Sequence, residues 1–162
     1  MKLEQISSWD LYDNIKNKLN SSIIKSWLLQ EGPITKRIKS SYEFKLKLIQ
    51  DEITEVIDAD KKFLNTNSNE IRVREVVLLG DEKPLVYAQT LIPNSTINKG
   101  LAELGKIGNK PLGDILFEKD IFTKKDIVYA QFIFDNNSFW GRKIKYTVKN
   151  QPFSVMEVFL IK

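Results

Sequence analysis

Two strand-like segments each carry one charged residue at a position that should be covered. In IRVREVVLL (71–79), alternation of side chains places Arg74 on a face with apolar residues. In SVMEVFLIK (154–162), Glu157 has the same relation to its apolar neighbours. Burying an unpaired ion costs several kcal/mol, so each charge needs a partner. Either the two residues pair or face water as a structural arrangement, or both point into a cavity that binds an anionic ligand.

Two short segments, GPITKR (32–37) and KPLGD (110–114), share a different feature. Each has a proline at a position typical of the first residue of a helix, followed by an apolar residue, Ile34 or Leu112. The amides after such a proline lack intrahelical partners and carry the positive end of the helix dipole, so they can receive a carboxylate or hydroxyl oxygen. Most helix starts bind only water, so this feature alone does not indicate a site.

The composition restricts the chemistry that these residues can support. The chain has 162 residues with no histidine and no cysteine, which excludes a Ser-His-Asp triad, a Cys-His pair, a histidine-ligated zinc site and disulfides. Any reaction must therefore use Glu, Asp, Lys, Arg, Tyr, backbone amides or the substrate itself. We expect no bound metal.

The charge balance of the chain bears on the kind of ligand. A net charge of +4, from 25 basic and 21 acidic residues, suits nucleic acid or a small anionic ligand. No stretch combines a dense basic run with aromatic residues, which favours the small ligand. A planar guanidinium meets a carboxylate with a geometry that an ammonium lacks, although chance explains any single arginine equally well. The four arginines are Arg37, Arg72, Arg74 and Arg142.

The elements that would position these residues follow a pattern typical of an α+β domain. Apolar residues at helical spacing predict helices in 9–19, 23–30, 94–106 and 111–117. A further turn or short helix is predicted at 33–39. Alternating or apolar runs predict strands in 44–57, 71–80, 84–93, 127–134, 142–148 and 153–161. The polar segment 58–70 is predicted to be a loop. The sum is one domain, residues 1–162, with a largely antiparallel sheet of about six strands and helices on one face.

The start of the chain and its apolar runs give no sign of export. The first residues, MKLEQISSWDLYD, contain no hydrophobic segment after the lysine, and no run approaches the length that crosses a bilayer. We therefore expect a protein without a secretory signal or a membrane span, located in the cytoplasm.

Several of these segments, taken in order, resemble the chorismate lyase family. The matching segments are WLLQEGPITKRI (27–38), REVVL (74–78), PLVYAQTLIP (84–93), LGKIGNKPLGDILF (104–117), WGRKIKY (140–146) and MEVFL (156–160). They cover most of the chain after about residue 26. The ordered set is more specific than any single segment.

The resemblance implies a fold, a reaction and partners. The fold would be a six-stranded antiparallel sheet with helices on one side and helical flaps over a buried aromatic acid. The reaction would be elimination of pyruvate from chorismate to give 4-hydroxybenzoate for ubiquinone or plastoquinone biosynthesis, without a cofactor and with product inhibition. Chorismate and 4-hydroxybenzoate are the expected partners, and nucleic acid is not. The protein is expected to be a monomer, in the plastid stroma if a plastid genome encodes it.

The resemblance also implies roles for the residues named so far. Arg74 aligns with the family arginine that holds the carboxylate of the ligand, and Glu157 with the family glutamate at the hydroxyl end of the ring. These two are the expected catalytic residues. Ile34 and Leu112 align with flap positions whose backbone atoms contact the ligand. Two hypotheses remain for the ring proton: Glu157 removes it as a general base, or the proton passes within the substrate while Glu157 orients the hydroxyl.

One departure from the family pattern concerns the second carboxylate of chorismate. Relatives commonly have an arginine in a stretch like G-R-T-V-x-P, where this chain reads AQTLIP and has the uncharged Gln89. The second carboxylate would then be met by a residue other than that arginine, or be bound less tightly than in relatives. The candidate contacts are Gln89 itself, Lys36, Arg37, Arg142 and Lys143.

Two non-catalytic functions compete with the lyase. The same fold serves as the effector-binding module of certain bacterial transcription regulators. Those proteins carry a DNA-binding domain ahead of the module, and from the roughly 25 residues before the first matching segment we expect none in this protein. The second is a degenerate lyase that stores or carries an aromatic acid. Both would bind such an acid without converting it.

Overall fold

One antiparallel sheet forms the frame of the protein. The computed structural model describes residues 2–118 and 120–162. Within them the strands are β1 (Glu4–Gln5), β2 (Phe44–Thr54), β3 (Ile71–Gly80), β4 (Lys83–Pro93), β5 (Phe122–Phe134), β6 (Asn137–Val148) and β7 (Gln151–Phe159). The α-helices are α1 (Tyr12–Ile15), α2 (Ser22–Leu28), α3 (Ile34–Ser41), α4 (Asp58–Phe63), α5 (Asn94–Lys99) and α6 (Leu112–Glu118). Short 3-10 helices follow α1 and α5 at Lys16–Lys18 and Ala102–Gly105.

The strand order divides the sheet into two groups. It runs β1-β5-β6-β7-β4-β3-β2, and every neighbouring pair is antiparallel. Strands β2 to β4 form one group of sequence neighbours, and strands β5 to β7 form the other. The pairing of β4 with β7 joins them.

Three tight turns fix the register of this sheet. The turn residues Asp81-Glu82, Asp135-Asn136 and Lys149-Asn150 all have positive φ, between 49° and 68°. Two successive residues in this region define the type I′ turn, whose twist matches that of the flanking strands. Alternate residues of each strand are therefore held on one side of the sheet, except where the register shifts at Leu48/Gln50, Leu78/Leu79 and Lys124/Asp126.

Two apolar clusters cover one face of the sheet. Helices α2 and α3 pack through Trp27 and Ile38 in a cluster that includes Phe159. The segment from α5 to α6 packs around Phe153 in a second cluster. Phe153 and Phe159 have no exposed surface. The larger helices therefore lie on the same face, as expected.

Helix α4 packs on the reverse face of the sheet, where it contacts the buried ammonium of Lys143. Lys143 of β6 is 5% exposed, and its Nζ lies 3.8 Å from Oδ1 of Asp60. The same ammonium lies 4.2 Å from the ring centroid of Phe63 and 4.5 Å from that of Trp9. Burial lowers the pKa of Lys143 and raises that of Asp60, while their mutual attraction opposes both shifts. Helices thus lie on both faces, and the prediction of one covered face was incomplete.

The α+β class and the antiparallel sheet are confirmed, but three predicted elements differ. The loop predicted at 58–70 contains α4, whose first turn is acidic and whose last turn is basic, as the helix dipole favours. The helix predicted at 94–106 stops at Gly100, where a Cβ would lie 2.9 Å from Cγ1 of Val148. The helix predicted at 9–19 is reduced to α1 and its 3-10 turn. The seventh strand, β1, is a two-residue addition beside β5.

Among residues 2–118 and 120–162, the longest apolar helices fall short of what crossing a bilayer requires.

Candidate active site

A cavity lies between the two apolar clusters on the face covered by α3 and α6. It encloses about 640 Å³ of empty space, including its mouth. Strands β2 to β7 all contribute side chains to its wall, and the turns that precede α3 and α6 complete it. Most of the wall is apolar, and the polar side chains are few. Such a chamber suits a small ring compound with a limited number of charged groups.

Arg74 of β3 lies at one end of this cavity and is 3% exposed. Its Nε and one terminal nitrogen donate to the carbonyl of Gly108 at 3.3 and 3.1 Å, and that nitrogen also donates to the carbonyl of Lys110 at 2.6 Å. Burial lowers the pKa of Arg74 below its ordinary value, and nearby Asp51 opposes this shift. An arginine keeps its charge at neutral pH despite such a shift. The cation therefore lines the cavity and holds the backbone of the loop before α6.

Gly108 gives this loop the shape that Arg74 binds. Its φ of 57° lies in the left-handed region, which glycine adopts without the steric cost that other residues meet. The carbonyl oxygen of Gly108 accepts hydrogen bonds from both nitrogens of Arg74 that point at it.

An ion pair between Arg142 and Glu157 lies elsewhere in the cavity wall. The two residues are directly opposite each other on β6 and β7, and Nε of Arg142 donates to Oε1 of Glu157 at 2.9 Å. A second nitrogen of Arg142 donates to the carbonyls of Leu28 and Gln30 at 3.0 and 2.7 Å. The side chains are 7% and 13% exposed. Arg142 thus neutralises the glutamate, fixes its direction and ties it to the end of α2.

Gly141 allows this pair to form on closely packed strands. A Cβ at this position would lie 2.8 Å from Cε1 of Phe132 and 3.0 Å from the carbonyl oxygen of Glu157. Real Cβ atoms do not tolerate the first distance, so a side chain here would push β6 away from its neighbours. The glycine before Arg142 is therefore part of how the sequence positions the ion pair.

The sheet register sets the distance between the two charged ends. Arg74 pairs with Thr90 on β4, Thr90 pairs with Val155 on β7, and Glu157 lies two residues beyond Val155. Arg74 and Glu157 are therefore two strands apart on the same face. At a strand spacing of about 4.8 Å, the separation across the sheet is roughly 10 Å between backbones. The structure thus brings together the two charges that the strand patterns singled out.

Two helix starts cover the cavity. Ile34 and Leu112, the first residues of α3 and α6, are buried and line it. Each proline precedes its helix by one residue instead of being the first helical residue as predicted. The two starts meet, since a Cβ on Gly113 would be 3.6 Å from Cβ of Pro33. These two segments form a cover over the wall residues, and we call them the flap segments.

Among the residues that the structure describes, five further polar ones line the cavity and were not predicted: Glu31, Thr35, Thr90, Lys124 and Tyr146. Tyr146 on β6 shares the face of Arg142, and burial together with the charge of Glu157 raises its pKa to about 12. Alternation in the segment 142–148 contained this signal. Lys124 on β5 also lines the cavity, but the strand is irregular there, so alternation could not have indicated it.

The structure places most of the predicted second-carboxylate contacts away from the cavity wall. Lys36 is exposed on α3, while Arg37 donates to Ser26 and Gln30 and lies 4.0 Å over the ring of Trp27. Gln89 lies on the reverse face of β4, because its neighbours Ala88 and Thr90 line the cavity. Lys143 also faces the reverse side, towards Asp60. Arg142 is the member of that set that reaches the cavity.

Within residues 2–118 and 120–162, no three Asp or Glu side chains come close enough together to hold a metal ion.

Solved structures share the overall arrangement. A transcriptional regulator of the GntR family from Bacillus cereus matches with a TM-score of 0.55 over 73% of this chain and 92% of its own, at 9% identity. A Bacillus subtilis protein described as a "possible transcriptional regulator" matches with a TM-score of 0.56 over 97% of this chain and 87% of its own, at 13% identity. At such identities the likeness concerns the fold alone.

Curated relatives are closer in sequence. A "Probable chorismate pyruvate-lyase" of Psychromonas ingrahamii is 34% identical over 158 residues, which cover 86% of this chain and 83% of the relative. A protein of the same name from Shewanella sp. (strain ANA-3) is 31% identical over 167 residues, covering 94% and 87%. The sequence model of the family described as "Chorismate lyase" matches residues 3–162. The chain therefore belongs to the chorismate lyase family.

Proposed function

We propose that the protein is a chorismate lyase, which eliminates pyruvate from chorismate and releases 4-hydroxybenzoate, a ring precursor of quinones. The observation that carries the proposal is the placement of Arg74 and the Arg142–Glu157 pair at two ends of one largely apolar cavity. Membership in the family supports the same reaction. The relatives' names, chorismate pyruvate-lyase, agree with it.

The reaction itself needs positioning more than a reagent. The bond between the ring and the ether oxygen breaks, and its electron pair stays with the departing enolpyruvate. The neighbouring ring carbon, which carries the hydroxyl, loses its proton, and the C–H electron pair completes the aromatic ring. Enolpyruvate takes up a proton at its methylene carbon and becomes pyruvate. The protein must therefore fix the dianion, neutralise the departing carboxylated fragment and exclude water.

Arg74 would anchor the ring carboxylate. Nε and one terminal nitrogen of Arg74 donate to carbonyls, so its other terminal nitrogen would bind the carboxylate, in a buried wall where water competes weakly. Its present partners are the carbonyls of Gly108 and Lys110, which belong to the loop before α6. The substrate carboxylate and the flap segment before α6 would thus both bind to Arg74. Arrival of the carboxylate would be coupled to the position of the flap.

Glu157 would act at the hydroxyl end of the ring. Its Oε1 accepts from Arg142, so the carboxylate has a second oxygen for a ligand hydroxyl or for the adjacent ring proton. Both mechanistic hypotheses use this position. As a general base, Glu157 would take the ring proton; as an orienting group, it would hold the hydroxyl while the proton moves to the enolpyruvyl methylene.

Incubation of the purified protein with chorismate, without added metal, tests the proposal. We expect 4-hydroxybenzoate and pyruvate to appear in equal amounts, the first followed by its absorbance and the second by reduction to lactate. Binding of 4-hydroxybenzoate without any conversion of chorismate would instead favour the non-catalytic aromatic-acid-binding domain. Failure to bind either compound would contradict the site itself.

Slow release of the aromatic product is expected to limit turnover. The two flap segments meet over the cavity, and Arg74 holds one of them, so the product leaves only when they separate. Rapid mixing with excess chorismate should give a burst of about one equivalent of 4-hydroxybenzoate per protein, followed by a slower steady rate. Added 4-hydroxybenzoate should lower that steady rate. Formation of product that is linear from the first turnover would show that release is not limiting.

A further inference from the structure

Chorismate carries two carboxylates, and the cavity has one cation that the proposed mechanism leaves unused. The basic residues that line the cavity within the described part of the chain are Arg74, Arg142 and Lys124. Arg142 is committed to Glu157 and two backbone carbonyls. Arg74 lies at the end proposed for the ring carboxylate. Lys124 makes no hydrogen bond or ion pair with another described residue, and it is available for a second anionic group.

A β-bulge turns Lys124 into the cavity. On β5, Asp126 pairs with Lys145 of β6, and a regular ladder would then pair Lys125 with Tyr146. Instead Lys124 takes that place, because the register shifts between Lys124 and Asp126. Because of the bulge, Lys124 faces Tyr146 and the cavity in place of Lys125. Bulges commonly redirect a side chain in this way. Lys125 lies in a different surface depression, beside Asp126 and Lys145.

The surroundings of Lys124 suit an anion that arrives from solvent. The residue is exposed overall, yet partial burial and the charge of Arg142 lower its pKa, while Glu31 and Glu157 act in the opposite direction. Lys124 lines the same cavity as the ion pair of Arg142 and Glu157 at the hydroxyl end. Because Arg142 is paired with Glu157, Lys124 is the cation that an additional negative charge at this place would meet, with Glu31 as the opposing carboxylate.

The strand order places Lys124 on the side from which the fragment would leave. The enolpyruvyl group of chorismate branches from the ring carbon next to the one that carries the hydroxyl. It therefore lies near Glu157 and away from Arg74. From Arg74 on β3, the sheet runs through β4 to Glu157 on β7, then through β6 to Lys124 on β5. A lysine on a flexible stem can follow a group that moves away from the ring.

We propose that Lys124 binds the enolpyruvyl carboxylate of the substrate and stays in contact with it as the carbon–oxygen bond breaks. Lys124 thus supplies the second cation that Gln89, on the reverse face, does not. This inference rests on the proposed function, since it assigns a residue to one group of the proposed substrate. It makes the protein selective for a dicarboxylate over a monocarboxylate that shares the same ring.

Three variants with two ligands test the inference. Lys124→Met removes the charge and keeps the length of the stem, Lys124→Arg retains a cation, and Lys125→Met is the matched control on the other side of the bulge. For Lys124→Met we expect kcat/KM for chorismate to fall about 10- to 100-fold, the range for loss of a hydrogen bond to a charged group. Its dissociation constant for 4-hydroxybenzoate, which lacks the second carboxylate, should stay within about twofold of the wild type. Lys124→Arg should recover part of the loss, and Lys125→Met should behave as the wild type.

The outcomes separate this inference from the proposed function. If the wild type converts chorismate and Lys124→Met converts it equally well, the inference is overturned and the lyase stands. Equal weakening of both ligands in Lys124→Met would also overturn it, because a structural defect would act on both. If the wild type does not convert chorismate, the proposed function fails, and the dissociation constants of the two ligands decide the role of Lys124. A loss confined to chorismate would then support it, and no loss would overturn it.

Discussion

Arg74→Met is expected to lower kcat/KM for chorismate by roughly 30- to 5,000-fold. Removal of one partner from a buried, hydrogen-bonded charge contact costs about 2–5 kcal/mol, and each 1.36 kcal/mol is a factor of ten in rate. The guanidinium is 3% exposed, so water cannot replace it. Two losses add in this variant: the anchor of the ring carboxylate and the donor to the carbonyls of Gly108 and Lys110.

Two further variants identify which of these losses matters. Arg74→Lys keeps a cation for the carboxylate but cannot hold two carbonyls and a carboxylate in one plane, so an intermediate loss is expected. Arg72→Met is the comparison variant: Arg72 pairs at 2.6 Å with Asp51, outside the cavity, and only a small loss is expected because Asp51 also acts on Arg74. Steady-state kinetics and the dissociation constant of 4-hydroxybenzoate are the measurements. An Arg74→Met protein that folds and retains more than a third of its kcat/KM would rule out the anchoring role.

Glu157→Gln is expected to lower kcat by about 100- to 10,000-fold, the contribution typical of a general base. Glutamine keeps the shape of the side chain and an oxygen that can accept from Arg142, but it cannot take up a proton. Binding of 4-hydroxybenzoate should therefore change little while the chemical step slows. Single-turnover rates with chorismate measure that step without product release.

The control for this variant lies on the opposite side of the sheet. Glu75 of β3 accepts a 2.6 Å hydrogen bond from the hydroxyl of Tyr87, and neither residue lines the cavity. Glu75→Gln makes the same chemical change without touching the site, so its kcat should equal that of the wild type. A loss of less than tenfold in Glu157→Gln would contradict general-base catalysis. It would favour transfer of the proton within the substrate, with Glu157 as an orienting group.

Regular strands explain why the charged ends of the cavity could be predicted. Alternation alone put Arg74 and Glu157 on covered faces, and the structure places both in one cavity wall. The same rule could have placed Gln89 on the reverse face, since its flanking residues Ala88 and Thr90 face the cavity. The catalytic and binding roles of these residues remain predictions.

Irregular backbone explains what could not be predicted. Lys124 faces the cavity because of a bulge, and the sequence KKD has nothing that decides which lysine is displaced. Helix α4 was missed because its segment is short and polar, and it is held by contacts with Lys143, which is distant in sequence. The contact between Arg142 and the end of α2 likewise joins residues more than a hundred positions apart. Local patterns do not contain such information.

The junction of β4 with β7 has a consequence for how the protein is assembled. Each three-stranded group is built from strands adjacent in sequence, joined by two-residue turns or by the segment 55–70, whereas the β4–β7 pairing closes a loop of some sixty residues. Arg74 lies in one group, and Glu157 and Lys124 lie in the other. The set of residues proposed to act on the substrate is therefore incomplete in either half alone. A bound dianion would bridge the seam and act as a non-covalent cross-link that holds the halves together.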